Sequence, residues 1–386
     1  MSWSTVRADQ FCTLITDGTH DSPKPQQSGR KLITSKHLKG HYIDFDSANW
    51  ISEADYQKVI SRSAVEQWDI LFSMIGTIGN IYLENNPHVE YACKNMGIFK
   101  FSGNKADAFW MYYYLKSPQA KAYIQTHLRG STQAYMPLGG LRDMPVPVPP
   151  QSVRNAIIAI LRPVDEKIVC NNAINDNLQQ QAAALFATFY DRAETEVGFT
   201  EIIQILGGGT PKTGESSYWN GDVPFFTPKD VGSPYTLATE KTITEEGLAH
   251  CNSRLYPINT VFVTARGTVG KVGLPGVPMA MNQSCYALVG KDTHQLLVYF
   301  YTLKAVDRLK HKASGAVFDA ITTRDFESEI IMKLSDDDEK AFLDVAQPIY
   351  QAVLSNSIEN LGLAALRDSL LPKLMSGEID VSAVQL

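Results

Sequence analysis

No stretch of this 386-residue chain approaches the roughly 18 apolar residues a membrane span needs. Met1–Arg7 has no apolar core of the kind a secretory leader carries, so a cytoplasmic location and no membrane partner are expected. Cysteine is scarce. Cys12, Cys93, Cys170, Cys251 and Cys285 are far apart, odd in number and form no C-x-x-C pair, which predicts reduced thiols and no structural zinc. Common catalytic signatures are missing too: there is no G-x-x-x-x-G-K-[ST] loop, no H-E-x-x-H and no N-P-P-Y, since Asn86-Pro87-His88 departs from it. His20, His37 and His41 lie close in sequence, and solvated loop histidines are the preferred reading over a metal site. Gly207-Gly208-Gly209-Thr210-Pro211 reads as a turn, because Pro211 ends the run and no helix start with Lys-Ser follows to cradle a phosphate. This silence favours a binding protein over an enzyme.

What is present suits a globular protein: 44% hydrophobic and 20% charged residues are enough for full cores, and the length predicts two or three domains. The net charge of −6 is unevenly spread. Residues 1–150 carry 15 Lys+Arg against 13 Asp+Glu and residues 195–335 carry 13 against 14, whereas residues 336–386 carry 3 against 9. The two large segments are near neutral and can still sort their charges into a basic face, so the overall charge does not exclude nucleic acid.

Internal repetition is the strongest signal. Asp17-Gly18-Thr19-His20 matches Gly208-Gly209-Thr210-Pro211, and Gly76-Thr77-Ile78-Gly79 matches Gly267-Thr268-Val269-Gly270, both at an offset of 191. Leu141-Arg142-Asp143-Met144 resembles Thr323-Arg324-Asp325-Phe326. Further matches at an offset of 185 include Pro163 with Pro348, Asn171 with Asn356 and Asn175 with Asn360. Four segments follow: 1–150 and 195–335 as mixed globular repeats, and 151–194 and 336–386 as helical repeats. Alternating apolar stretches such as Asp69–Ile75, Gly97–Phe101 and Thr260–Thr264 predict strands, and Ala108–Thr126 and Gln295–Lys312 predict helices. Met144–Pro150, proline at alternate positions, is expected to be a stiff link outside any sheet or helix.

In the helical repeats Pro163 and Pro348 are expected to break a short helix from a long one, giving long helices over about 163–191 and 348–374, each roughly 40 Å. Apolar residues spaced by 3 and 4 form a coiled-coil seam, with Ile168 and Leu178 in one helix and Val353 and Leu363 in the other. Asn171, Asn175, Asn356 and Asn360 interrupt the seam. Either they face solvent, or the helices pair antiparallel and the asparagines meet and fix register; the second reading is preferred. Arg367, in the slot of Ala182, is a flaw in the seam. The fold class is therefore α+β: two tandem-duplicated α+β domains separated by two long helices in an antiparallel coiled coil.

Ile205–Pro211, Tyr218–Pro224, Thr227-Pro228-Lys229-Asp230-Val231, Gly267–Gly270 and the closing Leu371–Ile379 resemble the specificity (S) subunit of type I restriction–modification systems. The resemblance covers essentially the whole chain, although Thr34-Ser35-Lys36 stands where the second half has Thr227-Pro228-Lys229. It implies that each globular domain reads one half of a split sequence in double-stranded DNA. It also implies that the helices set the gap and dock methyltransferase (modification) subunits, that a restriction/translocase subunit joins them, and that the chain is non-catalytic. No cofactor is expected on this chain; S-adenosylmethionine, ATP and Mg are expected on the partners.

Loop residues able to meet base edges or phosphates are the candidate contacts. In the first half these are Thr19, His20, Lys36, Thr77, Lys94, Asn95, Ser131 and Thr132, with Lys24, Arg30, Lys31, Arg129 and Gln133 around them. In the second they are Thr210, Lys212, Lys229, Arg266, Thr268, Asn282, Gln283, Lys312 and Ser314, with Lys310 nearby. Trp110, Tyr112 and Tyr113 lie at helical positions and are expected in the core rather than stacked on bases. Two other readings remain: a tandem protein-interaction scaffold without DNA binding, supported by the acidic C-terminal segment, and more weakly a nucleotide-using enzyme.

Overall fold

The computed structural model describes residues 3–232, 234–312 and 320–381. The chain forms two compact units, Met1–Val169 with Leu363–Leu386, and Cys170–Gly362. The bounds fall inside two long helices, Gln151–Tyr190 and Asp336–Ser376, so each unit includes a stretch of both.

In the first unit β1 (Ser4–Arg7), β2 (Leu14–Asp17), β3 (Arg30–Ile33), β4 (Asn49–Ile51), β5 (Ile70–Ser73), β6 (Ile81–Leu83), β7 (Tyr91–Cys93), β8 (Met96–Lys100) and β9 (Pro145–Val148) form three sheets. Their orders are β2-β8-β5-β6, β4-β3-β7 and β1-β9. Sequence alternation places the larger sheet between two layers. Ile70, Phe72 and Phe99 face a cluster with Trp110 and Tyr113, while Leu71, Met96 and Ile98 face Ile33 and Cys93 of the smaller sheet. Ile157 and Leu161 of the first long helix and Leu371 and Leu374 of the second close the first cluster.

The second unit repeats this plan with β10 (Thr195–Gly198), β11 (Ile203–Gly207), β12 (Trp219–Phe226), β13 (Tyr235–Thr236), β14 (Lys241–Ile243), β15 (Val261–Thr264), β16 (Val272–Pro275), β17 (Ala280–Met281), β18 (Cys285–Gly290) and β19 (Ile330–Lys333). The orders are β11-β18-β15-β16-β13, β14-β12-β17 and β10-β19, the same connectivity with one added edge strand. Even the parallel pairs correspond, β3 with β7 and β12 with β17. Val261 and Val263 face Phe186, Tyr301 and Phe342; Phe262 faces Phe226 and Met281. The duplication is therefore one of topology as well as sequence.

Three local expectations are corrected. Pro163 and Pro348 lie inside unbroken helices. A mid-helix proline costs about 3 kcal/mol, yet both prolines are exposed. Phe342 and Ala346 before Pro348, and Tyr350 and Val353 after it, share one core. At about 1.5–3 kcal/mol for each large side chain buried, continuity outweighs the lost bond. Met144–Pro150 is not a free link, since Pro145–Val148 pairs with β1. The strand has one neighbour, so its prolines need give no second ladder bond. On the other side Trp110 Nε1 donates to Pro147 O at 2.8 Å, and the Tyr114 hydroxyl donates to Pro145 O. The helix expected over 108–126 is two helices, Lys105–Lys116 and Pro118–Thr126, because Ser117 caps the second and Pro118 starts it.

In the second unit the long helices run antiparallel, and five asparagines join across the seam. Asn171 Nδ2 donates to Asn360 Oδ1 at 2.9 Å and to Glu359 Oε2 at 2.7 Å; Asn356 Nδ2 donates to Asn175 Oδ1 at 2.8 Å; Asn360 Nδ2 donates to Asn172 Oδ1 at 2.9 Å. Asn171 and Asn175 are buried, and these bonds offset much of the cost of leaving water, although Asn171 Oδ1 itself has no partner among the described residues. Ile168 and Leu363, in the first unit, and Leu178, in the second, are partly buried on these helices, whereas Val353 is fully buried. At Arg367, in the first unit, the seam is polar, as expected. Arg367 Nη1 donates to Asp165 Oδ1 at 2.9 Å, replacing an apolar contact with an ion pair.

Candidate nucleic-acid interface

The polar loops of each unit gather at one end of its larger sheet. In the first unit β2 ends at Asp17 opposite Gly97, and β5 ends at Ser73 opposite Met96. Thr19 bridges Lys94, and His20 contacts Asn95 Oδ1 through Nδ1 at 2.9 Å and Asp17 Oδ2 through Nε2 at 2.8 Å. Lys94 Nζ donates to Ser22 Oγ. The turn carrying Lys36 packs on the Gly76–Gly79 hairpin, where a Cβ at Gly76 would stand 3.1 Å from Ser35 Oγ. Thr77, at the hairpin tip, is exposed. Ser131 and Thr132 sit on a tight loop closed by reciprocal backbone bonds between Arg129 and Tyr135, and Tyr135 bridges Ile75 beside the same hairpin.

The second unit repeats the arrangement. Thr210 Oγ1 donates to Gln283 Oε1, and the Arg266 amide donates to Ser284 O at 3.3 Å. Thr268 Oγ1 donates to Pro228 O at 3.1 Å, which seats the turn that carries Lys229 on the Gly267–Gly270 hairpin. Asn282 is half-buried and caps its own turn, its Oδ1 accepting from the Ser284 amide at 3.0 Å. Lys212 is exposed on the loop after Thr210. Lys312 is drawn elsewhere, since its amine and Arg308 both pair with the buried carboxylate of Glu329. Ser314 lies outside the described residues.

Glycine fixes this end of each unit. Gly76, Gly79, Gly267 and Gly270 all have φ between +73° and +89°, where a side chain is strained. Gly18 and Gly208 are required for a different reason, close backbone approach. A Cβ would lie 2.2 Å from Cys93 O in one case and 2.0 Å from Asn282 O in the other. These contacts make Gly18 the counterpart of Gly208, one residue off the pairing that the sequence motifs suggest. Burial pushes the Cys285 thiol up to about 12 and the Cys93 thiol well above its ordinary value, so neither is a nucleophile. Among the described residues no group of three His, Cys, Asp or Glu could hold a metal ion.

The turns bearing Lys36 and Lys229 differ in their cap. The Thr227 amide donates to Asp230 Oδ2 at 2.8 Å, whereas the Thr34 amide donates to His37 Nδ1 at 2.9 Å. Burial, aided by Lys36, holds the His37 pKa below its ordinary value. The folded value lies below the unfolded one of about 6.5, so neutral His37 adds stability above that pH, and the contribution fades as pH falls below it. The drop in Tm between pH 7 and pH 5 should shrink in His37→Asn, whose amide oxygen can accept the same bond without titrating. Superimposable pH–Tm curves for the two proteins would contradict this assignment.

The helix Glu53–Ser63 supplies further basic residues outside the repeated motifs. Lys58 and Arg62 line a cavity of about 380 Å³ with Thr19 and His20. Their spacing of one helical turn reads as an ordinary solvated face, and only the repeated Ser-Arg of Ser61-Arg62 and Ser253-Arg254 could have drawn attention to it.

Comparison with known proteins agrees with this organisation. The family model described as the type I restriction modification DNA specificity domain matches residues 3–180 and again residues 195–339. The chain is similar to the HindI specificity subunit of Haemophilus influenzae, 22% identical over 404 aligned residues that cover 83% of this chain and 88% of that one. It is 32% identical over 124 residues to the MjaIX specificity subunit of Methanocaldococcus jannaschii, covering 31% of this chain and 29% of that one. In fold it resembles the crystal structure of a type I restriction-modification S subunit from M. genitalium, with a TM-score of 0.56 and 14% identity over 97% of this chain and 96% of that chain.

Proposed function

Because the chain belongs to the type I restriction–modification DNA specificity family, as the subunit that selects the DNA target, we propose that each unit reads one half of a bipartite duplex sequence and that the long helices set the distance between the halves. The observation that carries this reading is the duplicated loop set, in which a Gly-Thr turn, a GTxG hairpin and a Thr-x-Lys turn converge at the same sheet end in each unit. These loops offer hydroxyls, amides and cations, the groups that meet base edges and phosphates. Thr19, His20, Lys36, Thr77, Lys94, Asn95, Ser131 and Thr132 serve one half-site; Thr210, Lys212, Lys229, Arg266, Thr268, Asn282 and Gln283 serve the other.

In this proposal the helices also dock the methyltransferase subunits, and Ile358 and Leu361, each 51% exposed on the second helix, suit an apolar partner surface. The chain itself is non-catalytic and cytoplasmic. S-adenosylmethionine, ATP and Mg belong to the methyltransferase and restriction subunits. Exchange of residues 1–150 for the matching segment of a subunit of different specificity should change one half of the methylated sequence and leave the other intact, read by methylome sequencing. A change in both halves, or in neither, would overturn the modular reading. Failure of the assembled complex to bind DNA at low salt would favour the scaffold instead.

A further inference from the structure

We propose that Arg62 and Arg254 are a duplicated pair of DNA-backbone clamps, one per unit, each seating a phosphodiester beside its Gly-Thr turn. This inference rests on the DNA-reading proposal and adds contacts that no base-reading motif contains.

In the first unit Ser52 caps a helix by accepting the Asp55 amide at 3.1 Å; in the second Thr244 caps one by accepting the Gly247 amide at 3.0 Å. Each arginine follows its cap by the same number of residues, and each follows a serine. Arg62 is 60% exposed but aimed: Nη2 donates to Gly18 O at 3.1 Å, to Asp17 O at 3.3 Å and to Asp17 Oδ1 at 3.4 Å. Two of these acceptors are main-chain carbonyls, so the guanidinium is held on the turn itself. It shares its cavity with Thr19 and His20, and Lys58 stands one helical turn back. The ion pair of Lys58 with Asp21, at 3.2 Å, joins side chains more than 70% exposed and holds Lys58 weakly against an incoming phosphate.

In the second unit the turn meets the same segment by backbone contact: a Cβ at Gly209 would lie 2.5 Å from the Asn252 amide nitrogen and 2.8 Å from that of Ser253. Ser253 is buried, with its hydroxyl accepting the Met281 amide at 2.9 Å, and Arg254 is exposed immediately after it. The surroundings differ between units, since Asp17 and Asp21 have no acidic counterpart on Gly207-Gly208-Gly209-Thr210-Pro211. What the duplication keeps is an arginine next to the turn. A planar guanidinium matches two phosphate oxygens, and a phosphate contact carries no sequence information.

The test uses the chain assembled with its modification subunits. Arg62→Ala and Arg254→Ala should each weaken binding to target and to non-target duplex alike by about tenfold near physiological salt. Each should also lower the slope of log affinity against log salt by about 1, and the double variant by about 2. Arg→Lys should keep the slope, and the methylated sequence should stay that of the wild type in every variant. Unchanged affinity and slope in the Ala variants, with the wild type still target-specific, would overturn the clamps alone; so would an altered methylated sequence, which marks a base reader. If the wild-type complex itself prefers no sequence, the underlying function falls and the clamps with it. Melting curves matched to the wild type exclude misfolding as the source of a loss.

Discussion

Alanine at Gly208 is expected to damage the second unit severely, while alanine at the adjacent Gly207 is expected to be silent. Gly207 ends β11 and Gly208 follows it, and the two meet very different surroundings. A Cβ on Gly207 meets nothing within 4 Å, whereas one on Gly208 would lie 2.0 Å from Asn282 O and 2.7 Å from Met281 O. Those atoms are backbone and cannot swing away as a side-chain tip can. Overpacking of this kind costs about 1–3 kcal/mol and sometimes more, and the least costly relief is to push the Thr210 turn off the Asn282–Gln283 loop. Gly18→Ala should do the same to the first unit through Cys93 O, which stands 2.2 Å from the added carbon. Each variant should therefore lower Tm by several degrees and lose tenfold or more in DNA affinity, with discrimination relaxed only at the half-site of its own unit. Equal Tm and affinity for Gly207→Ala and Gly208→Ala would show that the close approach has no energetic weight.

These glycines also mark where the sequence is legible and where it is not. The repeat of Gly76-Thr77-Ile78-Gly79 in Gly267-Thr268-Val269-Gly270 is visible because a left-handed turn restricts residue type at two positions, and all four glycines are left-handed. The Thr34-Ser35-Lys36 and Thr227-Pro228-Lys229 turns pack on the same hairpins although only two of three residues match. By contrast, Asp17-Gly18-Thr19 aligned with Gly208-Gly209-Thr210 sits one residue out of step. A run of three glycines offers three registers, and only the contact with Cys93 O or Asn282 O chooses among them. Proline is hard to read from sequence for a related reason. Its cost is local and readable, while the burial that outweighs it at Pro348 comes from Phe342, Ala346, Tyr350 and Val353 meeting a core supplied by distant segments. Lys312 reads as a loop cation in sequence because the buried carboxylate that pairs with it, Glu329, is 17 residues away.

Phe186→Ala is expected to be the most destabilising single truncation in the second unit, although the sequence places Phe186 in a spacer. The side chain is 1% exposed. Its ring centroid lies 4.9 Å from Phe300, 5.4 Å from Phe342, 5.6 Å from Tyr301 and 5.4 Å from Tyr190. Those neighbours belong to three helices: the first long helix itself, Gln295–Lys312, and the second long helix. Truncating a buried phenylalanine costs about 3–5 kcal/mol when the cavity cannot collapse, and a ring wedged among three helices leaves little room to collapse. At about 2–4 °C per kcal/mol for a unit of this size, Tm should fall by roughly 10 °C. Ile358→Ala, exposed on the second helix, should stay within about 0.5 kcal/mol of wild type in the isolated chain. The contrast separates two pictures of the long helices. If they were only a rod, both truncations would be mild; because Phe186, Ala182 and Phe342 are the second unit's own core, removing Phe186 should unfold that unit and abolish discrimination at its half-site. Equal melting curves for the two variants would place the core of the second unit elsewhere.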